Sequence, residues 1–365
     1  MKLAIIGLSN SGKTTIFNAL TGQNIETTLY ATVIGDPHYG IVKVPDTRLE
    51  RLSEIYKPKK TTHATVEYVD YIGLTKGDLA QNGKVFDLIK DADAVVHVVR
   101  AFADEVVTHP LNSVNPLRDI ETVELEFVFG DLEFVEKRLA RMEEAAKKGK
   151  KPNEAEKKLM FKCKEALEKE IPLRNLEFDE EEQKLMKPLQ FVSTKPEIIV
   201  LNVGEKDLAS GRAKELLTDV QKYIADKQIA ATTRAVSLCG KIEMEIAQLS
   251  ADESRAFLDD LGIAEPALDK LIKESYELLG LISFLTAGED EVRAWTIRKG
   301  LAAQQAAGKI HSDIERGFIR AELVSYDDFM ADGGMSGARD KGHLRLEGKT
   351  YEVKDGDIIN FRFNV

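Results

Sequence analysis

An eight-residue loop near the amino terminus constrains the fold of this 365-residue chain more than any other feature. The loop, Gly7 to Thr14, follows the apolar run Leu3 to Ile6 and opens a helical pattern at Thr15 to Leu20. Successive backbone N–H groups at a helix N-terminus favour an anion, and glycines let such a loop wrap a phosphate group. Average residue usage would produce this pattern by chance in about one such chain in a hundred. The sequence therefore predicts a phosphate-binding loop between a strand and a helix.

Short β-branched runs alternate with polar helical stretches over the first 130 residues, which predicts an α/β domain. Strand-like segments return near residues 197–201 and 230–238. The same sheet is therefore expected to resume after an interruption. On this interpretation residues 1–130 and 191–280 form one nucleotide-binding domain.

The interruption, residues 131–190, is unusually rich in charge. Residues 131–187 include 15 acidic and 15 basic side chains, 30 of 57 positions, against 31% charged residues in the whole chain. Apolar residues at a 3,4 spacing share one helix face, and a break at residues 150–153 precedes a second helical stretch. This pattern predicts an antiparallel, coiled-coil-like helical arm. Both a partner-binding arm and a solvated helix pair without a partner fit the sequence.

Residues 281–365 change pattern again, because Asp, Gly and Asn punctuate short strand-like stretches and predict a small α+β domain. Its 12 basic and 14 acidic residues carry no charge signature of nucleic-acid binding. The whole chain has a net charge of −11, so any contact with RNA must be local.

The two cysteines, Cys163 and Cys239, lie far apart and lack the spacing of a zinc site or a disulfide framework. The sequence has no signal-peptide pattern and no run of 18 apolar residues. These features predict a cytoplasmic protein that does not associate with membranes. The sequence does not decide the oligomeric state, for which a monomer is the expectation.

Four residues are expected to hold the phosphates of a nucleoside triphosphate and a Mg²⁺ ion. Lys13 would bridge the β and γ phosphates, and Thr14 would offer its hydroxyl to Mg²⁺, which prefers oxygen ligands. Asp70 and Gly73 follow an apolar strand, where a carboxylate organises Mg²⁺ water and a glycine N–H senses the γ phosphate. The predicted nucleotide-binding residues of the loop and the first helical turn are Asn10, Ser11, Gly12, Lys13, Thr14 and Thr15.

A switch threonine that reaches Mg²⁺ is expected between the first helix and the second strand. Thr32 is the predicted residue, and Thr27 and Thr28 compete with it for this role. A surface threonine without a metal role is the simpler alternative.

The loop that recognises the base is expected at Asn202 to Glu205, after an apolar strand at the carboxyl edge of the sheet. A guanine-specific loop ends in Asp, which accepts the two hydrogens of the guanine edge, and carries a Lys whose stem covers the base. Glu205 and Val203 stand at those two places. This departure favours ATP over GTP, although an adenine site also needs backbone groups to pair with the base.

With these motifs, the chain resembles the Obg-like ATPases, also called YchF proteins, within the translation-factor class of P-loop GTPases. The resemblance spans nearly the whole chain, and its most specific segments are residues 291–296, 305–311 and 355–363. They are similar to the family's C-terminal TGS domain, a ubiquitin-like β-grasp module. The resemblance implies a Ras-like P-loop sheet domain interrupted by the arm, Mg²⁺-dependent hydrolysis of ATP in preference to GTP, and association with ribosomes or ribosomal RNA in translation or stress regulation.

The hydrolytic residues depart from the Ras pattern, because Leu74 stands where a Ras-type enzyme has a water-orienting Gln. The resemblance points to His109 as the replacement, acting with Lys13, whereas a lone loop histidine is more often a surface residue. Asn10 holds the loop position that coordinates K⁺ in related hydrolases without the Gln, or else it caps the loop. By position alone, Cys239 and Gly240 are expected beside the base.

Three functions remain open at this point. The leading one is a slow ATP-hydrolysing switch, and a GTPase of the same fold is its nearest variant. A nucleotide-gated adaptor with negligible turnover is the second, since Leu74 cannot orient water. A phosphotransferase is the third, although the sequence shows no arginine-rich lid.

Overall fold

The structure is a computed structural model that describes residues 1–26, 37–151, 153–260, 263 and 265–364. Two compact units are formed, one by Met1–Val42 with Glu67–Leu271 and one by Lys43–Val66 with Ile272–Val365. The strands are β1 (Lys2–Ile6), β2 (His38–Lys43), β3 (Lys60–Thr62), β4 (Thr65–Asp70), β5 (Ala94–Arg100), β6 (Glu197–Asn202), β7 (Thr233–Leu238), β8 (Leu281–Ala287), β9 (Glu291–Arg298), β10 (Phe318–Ser325), β11 (Arg345–Glu347) and β12 (Asp357–Phe363). The α-helices are α1 (Lys13–Thr21), α2 (Thr47–Tyr56), α3 (Leu79–Ile89), α4 (Pro116–Lys147), α5 (Glu154–Glu168), α6 (Glu180–Met186), α7 (Glu205–Ala209), α8 (Arg212–Asp226), α9 (Gly240–Ile246), α10 (Ala251–Asp260), α11 (Ala267–Leu278), α12 (Ala303–Ile310), α13 (Ser312–Arg316), α14 (Tyr326–Ala331) and α15 (Met335–Asp340).

The first unit is built on a sheet with the strand order β2-β4-β1-β5-β6-β7. β1 pairs in parallel with both β4 and β5, and β6 continues the parallel set between β5 and β7. β5 and β6 are buried along their whole length, as is typical of parallel strands whose two faces are covered by helices. The pairing of β5 with β6 confirms that the sheet resumes after the interruption.

The predicted arm is present as a helical hairpin of α4 and α5. Val135 and Leu139 of α4 are buried against Leu159 and Cys163 of α5, so the predicted apolar face of the first arm helix is the one that packs. α4 begins at Pro116, well before the predicted start of the arm, because Asn115 caps it and Pro occupies its first turn. One continuous helix therefore runs from the core of the nucleotide-binding unit into the arm.

Asp131 joins the base of the arm to the chain that returns from it. Its carboxylate accepts hydrogen bonds from the backbone N–H groups of Val192 (3.0 Å) and Ser193 (2.7 Å). Burial raises the pKa of Asp131 from its usual 3.8 to about 6, against the opposing effect of these hydrogen bonds. The folded state therefore binds this proton more tightly than the unfolded state does.

The pH dependence of stability should report this carboxyl group. Because the pKa of Asp131 is higher in the folded state, its contribution to the free energy of unfolding is fully present below pH 4 and is lost as pH rises to about 6. Relative to an Asp131→Asn variant, the parent protein should lose about 3 kcal/mol over this interval. Urea unfolding at pH 4 to 7 measures the difference. The exposed Asp226→Asn variant should follow the parent, and an Asp131→Asn variant that does so as well would contradict the assignment.

The second unit contains a mixed sheet in the order β11-β10-β12-β8-β9-β3. β8 and β9 form an antiparallel hairpin, and the last strand, β12, lies parallel beside β8. Three alanines of α12 are buried in the same core as Phe284 and Phe361. A first hairpin, a helix and a last strand beside the first strand make up the β-grasp arrangement that the resemblance implied.

A segment that the sequence assigned to the first domain belongs to this second unit. β3 adds a parallel edge strand to β9, and Arg48 of α2 forms an ion pair with Asp355 (2.6 Å). Edge pairing uses backbone hydrogen bonds, so it leaves no residue pattern that a single sequence could reveal. The predicted junction at residue 280 and the limits of the arm stay predictions.

Among the described residues, no helix has the length and apolar character needed to span a bilayer.

Candidate nucleotide-binding site

The predicted phosphate loop connects β1 to α1 and lies at the carboxyl edge of the parallel sheet. The ammonium group of Lys13 is buried and donates a hydrogen bond to the carbonyl oxygen of Leu8 (3.0 Å), which holds it under the loop. Burial lowers the pKa of Lys13 to about 8, while the nearby Asp70 carboxylate opposes this shift. The Asp70 carboxylate only partly offsets the cost of burying this positive charge in the free protein. The Lys13 ammonium group is therefore suited to bind an anionic ligand.

Asn202 ties the phosphate loop to a second loop at the same edge of the sheet. Its side-chain amide donates to the carbonyl oxygen of Ser11 (3.0 Å), and its side-chain oxygen accepts from the N–H of Gly240 (3.0 Å). Gly12 has a φ of 91°, and a Cβ atom there would overlap the Asn202 amide. Thr15 lies against Gly240 on the other side. The structure thus brings together three segments that are far apart in sequence.

The two predicted Mg²⁺ ligands of the loop and the strand meet directly. The Thr14 hydroxyl donates to Oδ2 of Asp70 (2.7 Å), and Oδ1 of Asp70 is buried without a hydrogen-bond partner among the described residues. Burial raises the pKa of Asp70, against the effects of Lys13 and Thr14. A hydroxyl and an unsatisfied carboxylate oxygen are ligands that Mg²⁺ prefers, so the residues present fit this ion. Thr32, like its competitors Thr27 and Thr28, lies outside the described residues.

Gly73 packs directly against the backbone of the phosphate loop. A Cβ atom on Gly73 would stand 2.8 Å from Cα of Ser9, so only glycine permits this approach. The next residue, Leu74, donates its N–H to the carbonyl oxygen of Gly7 (2.9 Å) and is fully buried. The position that bears a Gln in Ras-type enzymes therefore points into the core, away from any water at the site.

His109 is buried beside the phosphate loop with both ring nitrogens engaged. Its Nδ1 accepts a hydrogen bond from the N–H of Leu111 (3.0 Å), so the ring proton lies on Nε2, which faces Oδ2 of Asp119 (2.9 Å). Burial lowers the pKa of His109, although Asp119 opposes this effect. Asn10 donates to the carbonyl oxygen of Thr108 (3.0 Å). The phosphate loop is therefore linked to the residue immediately before the histidine.

The predicted base-recognition residues do not all face the same way. Val203 is buried in the apolar core and cannot cover a base as a Lys stem would. Glu205 is exposed and pairs with Lys241 (2.7 Å between Oε1 and Nζ). Cys239 is buried in the same core as Val203, and burial raises the pKa of its thiol. The expectation that Cys239 and Gly240 lie beside the base stays a prediction.

The loop after Gly73 is held by a buried clamp from α4. Asn82 donates to the carbonyl oxygen of Thr75 (2.8 Å) and accepts from its N–H (3.0 Å). The Glu126 carboxylate accepts from the Asn82 amide (2.8 Å) and from the N–H of Gly77 (2.7 Å). Glu126 thus ties α4 to this loop directly, through Gly77, and indirectly, through Asn82 of α3.

Sequence reasoning missed Asp119 and Glu126, the two acidic partners on α4. Both are buried, and they are seven residues apart, two helical turns, on the face that also carries Ile120, Val123 and Phe127. Acidic residues on an otherwise apolar helix face were the available signal. Their partners could not be inferred, because Asn82 and Glu126 are 44 positions apart.

Comparison with known proteins gives matches over the whole length of the chain. A family model described as "50S ribosome-binding GTPase" matches residues 2–128, and the model YchF-GTPase_C, "Protein of unknown function (DUF933)", matches residues 281–364. The chain is 48% identical to the ribosome-binding ATPase YchF of Bacillus subtilis, over 99% of this chain and 98% of that protein. It is 41% identical to the Escherichia coli O157:H7 protein of the same name, over 100% and 99%.

One solved structure agrees over nearly the full length. The YchF GTPase of Schizosaccharomyces pombe superimposes with a TM-score of 0.80 at 29% sequence identity, covering 99% of this chain and 97% of that one. The agreement therefore includes the arm and the C-terminal unit as well as the phosphate-loop domain.

Proposed function

Because this chain belongs to the YchF family, we propose that it is a slow ATP-hydrolysing switch of the cytoplasm whose nucleotide state is recognised by the ribosome. It is a P-loop enzyme that hydrolyses nucleoside triphosphates. The observation that carries the proposal is the junction of Lys13, Thr14 and Asp70 under a loop that Asn202 holds in place. Phosphates, metal and base would meet within this one junction.

Mg²⁺ is the proposed cofactor at this junction. Thr14 and Asp70 would hold it, directly or through water, and the ion when bound would neutralise phosphate charge. Lys13 would supply the second positive charge from beneath the loop, and Gly73, which packs against Ser9 of the loop, would offer its N–H to the terminal phosphate. These chain groups bind and orient the triphosphate without forming a covalent bond to it.

His109 is the proposed water-orienting group, and in the free protein Asp119 keeps it turned inward. Triphosphate binding would displace the Asn10 side chain from Thr108 and loosen the segment that carries the histidine. Above the ordinary pKa of histidine the released ring would be neutral, and it could then accept a hydrogen bond from water. K⁺ beside Asn10 is a further proposal, and exchange of K⁺ for Na⁺ tests it.

The clamp from α4 offers a route from the nucleotide to the arm. A γ phosphate that attracts the Gly73 N–H would move the loop that Glu126 holds. α4 continues without a break from Glu126 through Asp131 to the arm at Leu139. A continuous helix of this kind would carry movement of the loop to the arm.

ATP selectivity rests on the altered base loop. Val203 is buried, and the Glu205 carboxylate already pairs with Lys241. An exposed ion pair contributes only about 0–1 kcal/mol, so it weakens rather than abolishes recognition of guanine. GTP should therefore bind more weakly than ATP, though still measurably.

Equilibrium binding of non-hydrolysable ATP and GTP analogues, side by side, tests this selectivity. The parent protein should prefer ATP, and Glu205→Asp should shift the ratio of affinities towards GTP by about tenfold, because the shorter carboxylate fits the guanine edge and no longer reaches Lys241. Glu215→Asp on the exposed side of α8 is the matched control and should leave the ratio unchanged. A parent protein that binds GTP at least as tightly as ATP would overturn the proposed preference.

A nucleotide-gated adaptor with negligible turnover is the second candidate, favoured by the burial of Leu74 and the inward position of His109. Phosphate release measured with and without purified ribosomes separates the two. The switch predicts release of ADP and phosphate that ribosomes accelerate. The adaptor predicts nucleotide-dependent ribosome binding without turnover.

A further inference from the structure

The end of the arm carries a concentrated positive charge. Four of the five residues from 147 to 151, which we call the arm tip, are lysines: Lys147, Lys148, Lys150 and Lys151. All four are exposed, and none makes an ion pair within the described part of the arm. Closer to the base the charges are matched, since Lys137 pairs with Glu133 and Arg138 with Glu156. The excess of positive charge at the arm tip is therefore local, because the whole chain has a net charge of −11.

Helix stability explains only half of this surplus. Lys147 and Lys148 close the C-terminal turn of α4, where positive charge favours the helix dipole. Lys150 and Lys151 follow that end and stand before Asn153, the N-cap of α5, where a positive charge gains nothing from the helix dipole. The helix dipoles therefore give no reason for the second pair.

The outer part of the hairpin also lacks a core of its own. Among the described residues, the last buried side chain of α4 is Leu139, and the first of α5 is Leu159. The nineteen positions between these two leucines add little burial, so they extend the arm without stabilising it. Such an extension serves to present the tip.

We propose that the arm tip binds the phosphate backbone of RNA without reading its sequence. Lysine ammonium groups suit phosphates as point charges, and residues 140–158 contain no aromatic side chain on which a base could stack. The inference deepens the proposed ribosome association, because it names the chemistry of the partner and the surface that meets it. It also satisfies the requirement, set by the net charge, that contact with RNA be local.

The test compares two variants of the full-length protein with the same change in charge. The tip variant carries Lys147→Gln, Lys148→Gln, Lys150→Gln and Lys151→Gln. The control carries Lys206→Gln, Lys214→Gln, Lys222→Gln and Lys227→Gln, four exposed lysines of α7, α8 and the residue that follows α8. The probes are two 20-base-pair RNA duplexes of unrelated sequence, titrated at several salt concentrations, and purified ribosomes.

The tip variant should bind both duplexes at least about tenfold more weakly than the parent at 0.1 M salt. The dependence of log K on log salt should become shallower by about 3, since up to four phosphate contacts are lost. The control should keep most of the affinity and slope of the parent. Both variants should hydrolyse ATP alone at the parental rate, which shows that the fold is intact.

Equal duplex binding by the tip and control variants would overturn the inference. Loss of ribosome binding with unchanged duplex binding would also overturn it, in favour of an acidic protein surface as the partner. A parent protein that ignores ribosomes but binds duplexes through the tip would refute the proposed ribosome association and support the RNA surface. The experiment can therefore refute ribosome association and RNA binding by the arm tip independently of each other.

Discussion

Replacement of Lys13 by alanine should weaken the binding of ATP by at least about 100-fold. The buried ammonium group is the positive charge that the structure places beneath the phosphate loop, and charged hydrogen bonds of this kind contribute about 1.5–3 kcal/mol each. Two such contacts to the β and γ phosphates account for the expected loss. Calorimetric titration of the parent and the variant with a non-hydrolysable ATP analogue measures it.

Two controls separate loss of the site from loss of the fold. Lys84→Ala, on the exposed side of α3, should bind the analogue as the parent does. Thermal unfolding of Lys13→Ala without nucleotide should occur at the parental temperature or above, because burial already disfavours the charged form of Lys13 in the free protein. Unchanged affinity in a folded Lys13→Ala variant would show that the triphosphate binds elsewhere.

Replacement of His109 by alanine should lower the rate of ATP hydrolysis by about 100-fold and leave the affinity for ATP within about twofold of the parent. Leu74 is buried in the core and offers no group to water, so the histidine is the proposed source of orientation. His109→Gln should recover part of the lost rate, because its amide can hydrogen-bond to water as the Gln of Ras-type enzymes does. Single-turnover phosphate release separates this effect from nucleotide binding.

A second histidine–aspartate pair offers a matched control. His343 pairs with Asp332 (2.7 Å between Nδ1 and Oδ2) in the C-terminal unit. Its replacement by alanine removes the same ring from the same kind of carboxylate contact, and hydrolysis should proceed at the parental rate. Parental hydrolysis by His109→Ala would exclude the histidine as the water-orienting group.

The fold was predictable where its determinants are local or periodic. The 3,4 spacing predicted which face of α4 would pack, and Val135 and Leu139 are buried there. The attachment of β3 to β9 was not predictable, because the partners, such as Lys60 and Glu291, are more than two hundred residues apart and meet through edge pairing of the two backbones and an exposed ion pair. Likewise, the sequence predicted that Asn202 would lie at the base loop, but not that its side chain would bridge Ser11 and Gly240.

The sequence by itself determined the phosphate loop, because contiguous backbone N–H groups, glycines and one lysine form that site within eight residues of chain. Only the tertiary structure decided the partner of His109, the contacts of Glu126 with Gly77 and Asn82, and the pairing of Glu205 with Lys241. Each of these contacts joins side chains from different elements, so its existence depends on the distance and burial that packing creates. Residue identity sets what a side chain can bind, and the fold selects which partner lies within reach.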